Sequence, residues 1–270
     1  MTRMAETKSM ALFCDFENIA LGVRDADYAQ FDIAKVLERL LLKGNIVVKK
    51  AYCDWARYKE FKAAMHEASF ELIEIPHVRQ SGKNSADIRM VVDALDLCYT
   101  KEHVDTFVII SGDSDFSPLV SKLRENDKTV IGVGVRNSTS DLLIANCDEF
   151  ISYDDLVRPP GPDKKVGSRQ TARKPGRKTK SKATKAVDDK KQEAWDLIVE
   201  TYEALLAERG EEERIWGSMI KQALKRRKPG FSEAHYGFRS FGQVLEEAEA
   251  HGILKLERDA KSGGFIIKSS

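Results

Sequence analysis

The sequence predicts an α/β protein in two parts: a mostly parallel sheet with helices on both faces, followed by a small α+β domain of the winged-helix kind. Three observations predict it. Short apolar runs alternate with helical stretches from residue 10 to residue 153, the pattern of strand-helix-strand units. The run 107–110 is apolar at every position and reads as a central strand buried on both faces. Between residues 158 and 191 the composition changes to thirteen basic and three acidic residues with almost no large apolar side chain. Such a segment cannot bury enough surface to offset its ordering entropy, so it is expected to be a disordered linker. A length of 270 residues leaves room for about two domains.

Taken in order, the first strand is 10–14, running straight into Asp15, Phe16, Glu17 and Asn18. Residues 31–43 carry Ile33, Val36, Leu37, Leu40 and Leu41 at helical spacing, and Gly44 stops them. The second strand, 45–53, ends at Asp54 and Trp55; 57–68 reads as a helix, and 71–75 is a third strand closed by Pro76. The next helix begins near Ser85, a favoured cap residue. Its Ile88, Val91, Val92 and Leu95 fall at i, i+3, i+4 and i+7, which predicts the face that packs on the sheet. Asp87 lies in its first turn, while Asp93 and Asp96 read as solvated or secondary. The strand 106–110 turns at Ser111 and Gly112 into a helix over 116–126, with Pro118 tolerated in its first turn. Residues 129–135 form a fifth strand, whose GVGV lacks the spacing of a dinucleotide fingerprint. A helix over 138–145, with Asp141 near its start, and a short strand over 149–153 close the domain.

No apolar run approaches the roughly 18 to 20 residues that span a bilayer, and the start MTRMAETKSM has no apolar signal region. A cytoplasmic location without membrane attachment is the expectation. Cys14, Cys53, Cys98 and Cys147 stand apart with no CxxC pair, so buried free thiols are expected rather than disulfides or zinc. The five histidines are scattered and take no catalytic task. The basic segment between two mildly acidic halves points to a polyanion partner.

The chemistry gathers at one rim. Asp15, Asp87 and Asp113 come from three separate strand-to-helix junctions, and alternating topology brings all three to the carboxyl edge of the sheet, where open α/β sheets bind ligands. Asp115 and Asp141 fall at the same rim. Each residue alone could be an ordinary helix-capping or helix-dipole aspartate, Asp115 as the cap of the helix that follows it. Together they suit one or two hard cations, Mg²⁺ or Mn²⁺, which take oxygen ligands and offset the carboxylates' repulsion. Such a site can activate water against a phosphodiester. No side chain offers a convincing covalent nucleophile.

Three motifs carry a resemblance: CDFENI at 14–19, KNSADIRMVVDAL at 83–95 and SGDSDF at 111–116. With the strand beyond them they resemble the NYN domain, a PIN-like ribonuclease family that includes LabA-type bacterial proteins, over residues 9–156. The resemblance implies a metal-dependent RNA-cleaving fold with Asp15, Asp87, Asp113 and Asp115 as metal ligands. It also implies that Asn18 orients a water or a substrate phosphate. Lys83 is a candidate phosphate contact.

From residue 192 the pattern is helical again, with Trp195, Ile198, Val199, Tyr202, Leu205 and Leu206 on one face. Further helices and a terminal hairpin follow, the layout of a winged helix. The runs KRRKPGF at 225–231, YGFRSFGQVL at 236–245 and the closing GGFIIK resemble the LOTUS or OST-HTH domain. That resemblance implies binding to RNA, in some cases folded G-rich RNA, or to protein partners; a homodimer is left open. Lys225, Arg226, Arg227 and Lys228 would face phosphate, with Arg239, Lys221 and Tyr236 beside them. The expected organisation is a nuclease domain at 9–156, a basic linker at 157–191 and an RNA-binding domain at 192–270. The expected activity is that of a metal-dependent (endo)ribonuclease acting through metal-activated water. Two other classes stand beside it: a catalytically inactive RNA-binding adaptor, and an aspartyl phosphatase using Asp15. The latter chemistry usually wants a second Asp two positions on, where Glu17 stands.

Overall fold

Apolar runs become parallel strands, and amphipathic stretches become the helices that cover them. The computed structural model describes residues 8–75, 85–157, 181–209, 214–259 and 263–268, and the chain divides into two units, Met1–Val157 and Arg158–Ser270.

The first unit runs β1 (Lys8–Asp15), α1 (Phe16–Asp25), α2 (Ile33–Leu41), β2 (Gly44–Cys53), α3 (Lys62–Glu67), β3 (Glu71–Glu74) and α4 (Ser85–Thr100). It continues with β4 (Thr106–Ile110), α5 (Ser117–Glu125), β5 (Thr129–Gly134), α6 (Asp141–Asn146), β6 (Glu149–Ser152) and α7 (Tyr153–Val157). The six strands pair in parallel in the order β3-β2-β1-β4-β5-β6. Chain order therefore reverses between β1 and β4, and a crevice opens at their carboxyl ends.

Strand alternation sorts β1 between two cores. Met10, Leu12 and Cys14 pack with Ile19, Val36 and Leu40 on one face. Ala11 and Phe13 pack with Met90, Ala94 and Cys98 of α4 on the other. Helix α1 has no counterpart among the elements expected from the sequence. It follows β1 without a loop because Asp15 caps it, accepting the Asn18 N–H at 3.4 Å, and because Phe16, Ile19 and Val23 bury at helical spacing.

Helix α4 packs on a face other than the expected one. Ile88 and Val92 are 63% and 56% exposed; the buried stripe is Met90, Ala94 and Cys98, with Val91 and Leu95 partly covered. The small Ala94 sits at the middle of that stripe, where a helix can approach the sheet closely. The rotation has a consequence for the rim. Asp87 precedes Met90 by three residues, about 60° around the helix at roughly 100° per residue, so it continues the sheet-facing stripe. Asp93 is partly buried, and it accepts from Tyr52 Oη at 2.9 Å and Arg89 Nε at 3.0 Å.

The second unit comprises α8 (Ser181–Arg209), β7 (Ile215–Trp216), α9 (Gly217–Arg227), α10 (Phe241–Ala250), β8 (Lys255–Arg258) and β9 (Phe265–Lys268). Its antiparallel sheet has the order β7-β9-β8. Trp195, Ile198 and Tyr202 of α8 join Ile220, Leu224, Phe238 and Val244 in its core. Helix α8 starts at Ser181, inside the span expected to be linker. Ala and Lys, both favourable in helices, make up six of residues 181–191. Residues 158–180 of the expected linker lie outside the described residues. All four cysteines are free and buried. Among the described residues no helix is long and apolar enough to cross a membrane.

Candidate active site

Asp15 is the last residue of β1 and is 7% exposed. It follows Ala11 and Phe13 in strand parity, so it continues the line that packs on α4. Asp87 continues the α4 stripe from the other side. Two rows of buried residues thus end in carboxylates at the same crevice.

The segment after β4 supplies the third carboxylate and holds the first. Ser111 Oγ donates to Asp15 Oδ2 at 3.0 Å and accepts the Asp113 N–H at 3.2 Å. Gly112 donates its N–H to Asn18 Oδ1 at 2.7 Å. A Cβ at Gly112 would lie 2.5 Å from the Ser138 carbonyl oxygen, a backbone approach only glycine permits. Asp113 Oδ1 accepts the Asp115 N–H at 2.9 Å, so Asp113, not Asp115, caps the turn that leads into α5.

Asp15, Glu17, Asn18, Asp54, Asp87 and Asp113 line one pocket of about 280 Å³. Burial pushes the Asp15 carboxyl up to about 7, with the Asp87 and Asp113 charges adding to it against the Ser111 and Asn18 hydrogen bonds. Asp87 is pushed up to about 6, first by burial and then by Asp113, Asp115 and Glu17. The carboxylates therefore feel one another's charge across the pocket. All are hard oxygen donors of the kind that hold Mg²⁺ or Mn²⁺. Among the described residues, no group of three or more His, Cys, Asp or Glu side chains is placed to hold a metal ion as a preformed cage. A shared wall and a closed cage are different things. Mg²⁺ commonly keeps several waters and binds through one or two carboxylates plus substrate phosphate, so an open acidic wall is compatible with it.

The structure separates the other expected site residues. Asp115 is exposed and lines a neighbouring groove with Asp87 rather than the pocket. Asp141 is the exposed first residue of α6 and is not part of the pocket wall. Asn18 braces α1 against the Gly112 backbone with its carbonyl oxygen. Lys83 lies outside the described residues.

In the second unit, Arg226, Lys228 and Arg239 are exposed and Lys225 is partly so. Arg227 instead reaches Glu200 at 2.5 Å and Thr201 Oγ1 at 3.3 Å on α8. Lys221 pairs with Glu233 at 2.8 Å. Tyr236 is buried against Phe231, ring centroids 5.3 Å apart. These three are tied to their own unit's packing.

Two pocket residues, Glu17 and Asp54, had no functional role in the sequence reading, and neither had Ser111, which holds Asp15 from behind the pocket wall. Glu17 receives Arg57 at 3.1 Å. The signal for Asp54 was present, since it ends β2 as Asp15 ends β1. Ser111 carried none, because its hydroxyl becomes informative only when β1 and β4 are known to be neighbours.

A six-stranded parallel sheet covered by helices, with an acidic pocket at its reversal point, agrees with the PIN-like, nuclease-like fold that the sequence motifs resemble. Residues 9–154, more than half of the chain, match the NYN domain, and the chain belongs to the NYN domain family. It is 29% identical over 112 residues to an uncharacterized protein of Methanocaldococcus jannaschii, a match covering 42% of this chain and 43% of that protein. The match thus spans less than half of that relative's length. The crystal structure of a protein of unknown function from Vibrio parahaemolyticus is similar with a TM-score of 0.51 at 26% identity, covering 57% of this chain and 98% of that one.

Proposed function

We propose that the chain is a divalent-metal-dependent ribonuclease that hydrolyses RNA phosphodiester bonds at the pocket between β1, β4 and α4. One observation carries the reading: Asp15, Asp87 and Asp113, from three elements distant in sequence, line one small pocket, where burial and neighbouring carboxylates raise the proton affinity of Asp15 and Asp87.

Asp15 and Asp113 are the anchored members, oriented by Ser111 and by backbone N–H groups of residues 18 and 115. Asp87 comes from the opposite wall. Asp15 and Asp113 would hold Mg²⁺ or Mn²⁺ together with waters and substrate phosphate, with Asp87 bound directly or through water and the exposed Asp115 as an outer carboxylate. When bound, the ion would polarise the phosphodiester and lower the pKa of the attacking water. Asn18 acts as a positioning residue, keeping the Gly112 turn and the α1 start in register. Without a cation the pocket repels phosphate, so binding of RNA and of the ion reinforce each other.

The second unit fits a LOTUS or OST-HTH-like RNA-binding domain, structured G-rich RNA included. Arg226, Lys228 and Arg239 would be its principal phosphate contacts, with Lys225 beside them. Capture on one unit raises the local RNA concentration at the other. The resulting salt dependence would follow the number of phosphates contacted.

The test is Mn²⁺-dependent cleavage of an end-labelled RNA by the full chain and by Asp113→Asn. Cleavage by the wild type, lost in the variant with RNA binding retained, is the expected result. No cleavage by either protein would leave an RNA-binding adaptor. Phosphomonoester turnover with a covalent Asp15 adduct would make it a phosphatase.

A further inference from the structure

The rotation of α4 that carries Asp87 into the crevice leaves two of that helix's branched apolar side chains uncovered. Ile88 and Val92 stand exposed, as does Leu142 of α6 at 58%. With Pro118 they line a groove of about 740 Å³ that also includes Asp87, Asp115 and Ser117. Contiguous exposed apolar surface of this kind marks a binding site.

The groove is continuous with the acidic pocket, because Asp87 belongs to both walls.

We infer that this groove is a base subsite, which takes an unstacked nucleobase of single-stranded RNA next to the phosphodiester held in the pocket. Charge decides which part of the strand lies there. The Asp87 and Asp115 carboxylates repel the phosphates and accept from N–H groups. An uncharged base offers a flat face to Ile88, Val92, Pro118 and Leu142. Its exocyclic amine, present on adenine, cytosine and guanine, can donate to Asp115, as amines of bases do to carboxylates elsewhere. A paired base keeps its amine in the duplex and its faces in the stack, so the subsite selects single strands. The inference rests on the ribonuclease reading for the position of the phosphodiester.

The test uses the full chain with Asp113→Asn, so that RNA is bound without being consumed. The probe is a single-stranded RNA with one 2-aminopurine at successive positions, an amine-bearing base whose fluorescence rises on leaving the stack. At saturating protein, a severalfold rise at one position is expected. The same rise should be absent when Ile88→Ser and Val92→Ser are added, both positions being exposed in the fold. No rise at any position, or an equal rise in the triple variant, would overturn the subsite. So would a concentration-dependent dimer that the two serines abolish, which would assign the groove to a second copy of the chain. Wild-type cleavage is followed in parallel to separate the two readings. Cleavage without a base signal removes the subsite alone; a base signal without cleavage in either Mg²⁺ or Mn²⁺ removes the ribonuclease and keeps the subsite.

Discussion

Replacing Asp15 by Asn should make the protein more stable at neutral pH and inactive. The native carboxyl is raised from 3.8 to about 7, chiefly by burial and by Asp87. A group whose folded pKa lies above its unfolded value contributes stability that is complete below the unfolded pKa and is lost as pH rises through the folded one. The window runs from about pH 4 to pH 7, and a shift of about three units corresponds to about 4 kcal/mol. Asn keeps an acceptor for Ser111 or for the Asn18 N–H but not the full pair of bonds, a loss of about 1 kcal/mol. Asp15→Asn should therefore be more stable than wild type by about 3 kcal/mol at pH 8, or roughly 6–12 °C in the melting of a domain of this size. At about pH 2.5, below both the unfolded and the folded pKa of wild-type Asp15, the advantage should vanish and reverse slightly. Calorimetric unfolding of both full-length chains across this range, in chelator, reads the difference directly. A variant less stable than wild type at pH 8, or a difference that does not move with pH, would refute the picture of a charge held in a dry acidic crevice.

Other outcomes follow from the same geometry. Mn²⁺ should raise the unfolding temperature of the wild type, by about 2.7 kcal/mol of stability at a hundredfold excess over Kd, and should leave Asp15→Asn nearly unmoved in the same calorimeter. Gly112→Ala, which forces a methyl within 2.5 Å of the Ser138 carbonyl, should cost more than about 1 kcal/mol in urea unfolding and lower kcat. Arg226→Ala and Lys228→Ala should each weaken RNA binding and reduce the salt slope by about one. Arg227→Ala, removing the Glu200 and Thr201 contacts, should instead destabilise the second unit while leaving that slope in place.

The parallel sheet was legible because its central strands carry compact apolar runs at 10–14, 107–110 and 130–135, and 107–110 announces a centre strand outright. The rim aspartates were legible for a related reason: strand ends in an alternating chain must share an edge, whatever the strand order. What escaped was rotational detail. In α4 the branched residues Ile88, Val91, Val92 and Leu95 looked like the packing face, yet Met90, Ala94 and Cys98 won it, with Val91 and Leu95 at its margin. Two apolar stripes that overlap on one helix cannot be ranked by periodicity alone. The same limit misplaced Asp115, since one residue of turn separates the capping Asp113 from an exposed neighbour. Arg227 looked like its basic neighbours until the partner helix supplied Glu200. Ser111 could not be read at all without knowing that β1 and β4 lie side by side.

The central claim, that the carboxylates of β1, α4 and the β4 turn share a cation, is tested most directly by anomalous scattering from crystals of the chain grown with Mn²⁺. The account predicts a peak in the pocket with Asp15 or Asp113 oxygens at about 2 Å, the bond length of an octahedral magnesium-type site, and Asp87 bound directly or through water. A pocket that stays without a peak at saturating Mn²⁺, while the ion binds elsewhere on the chain, would contradict it.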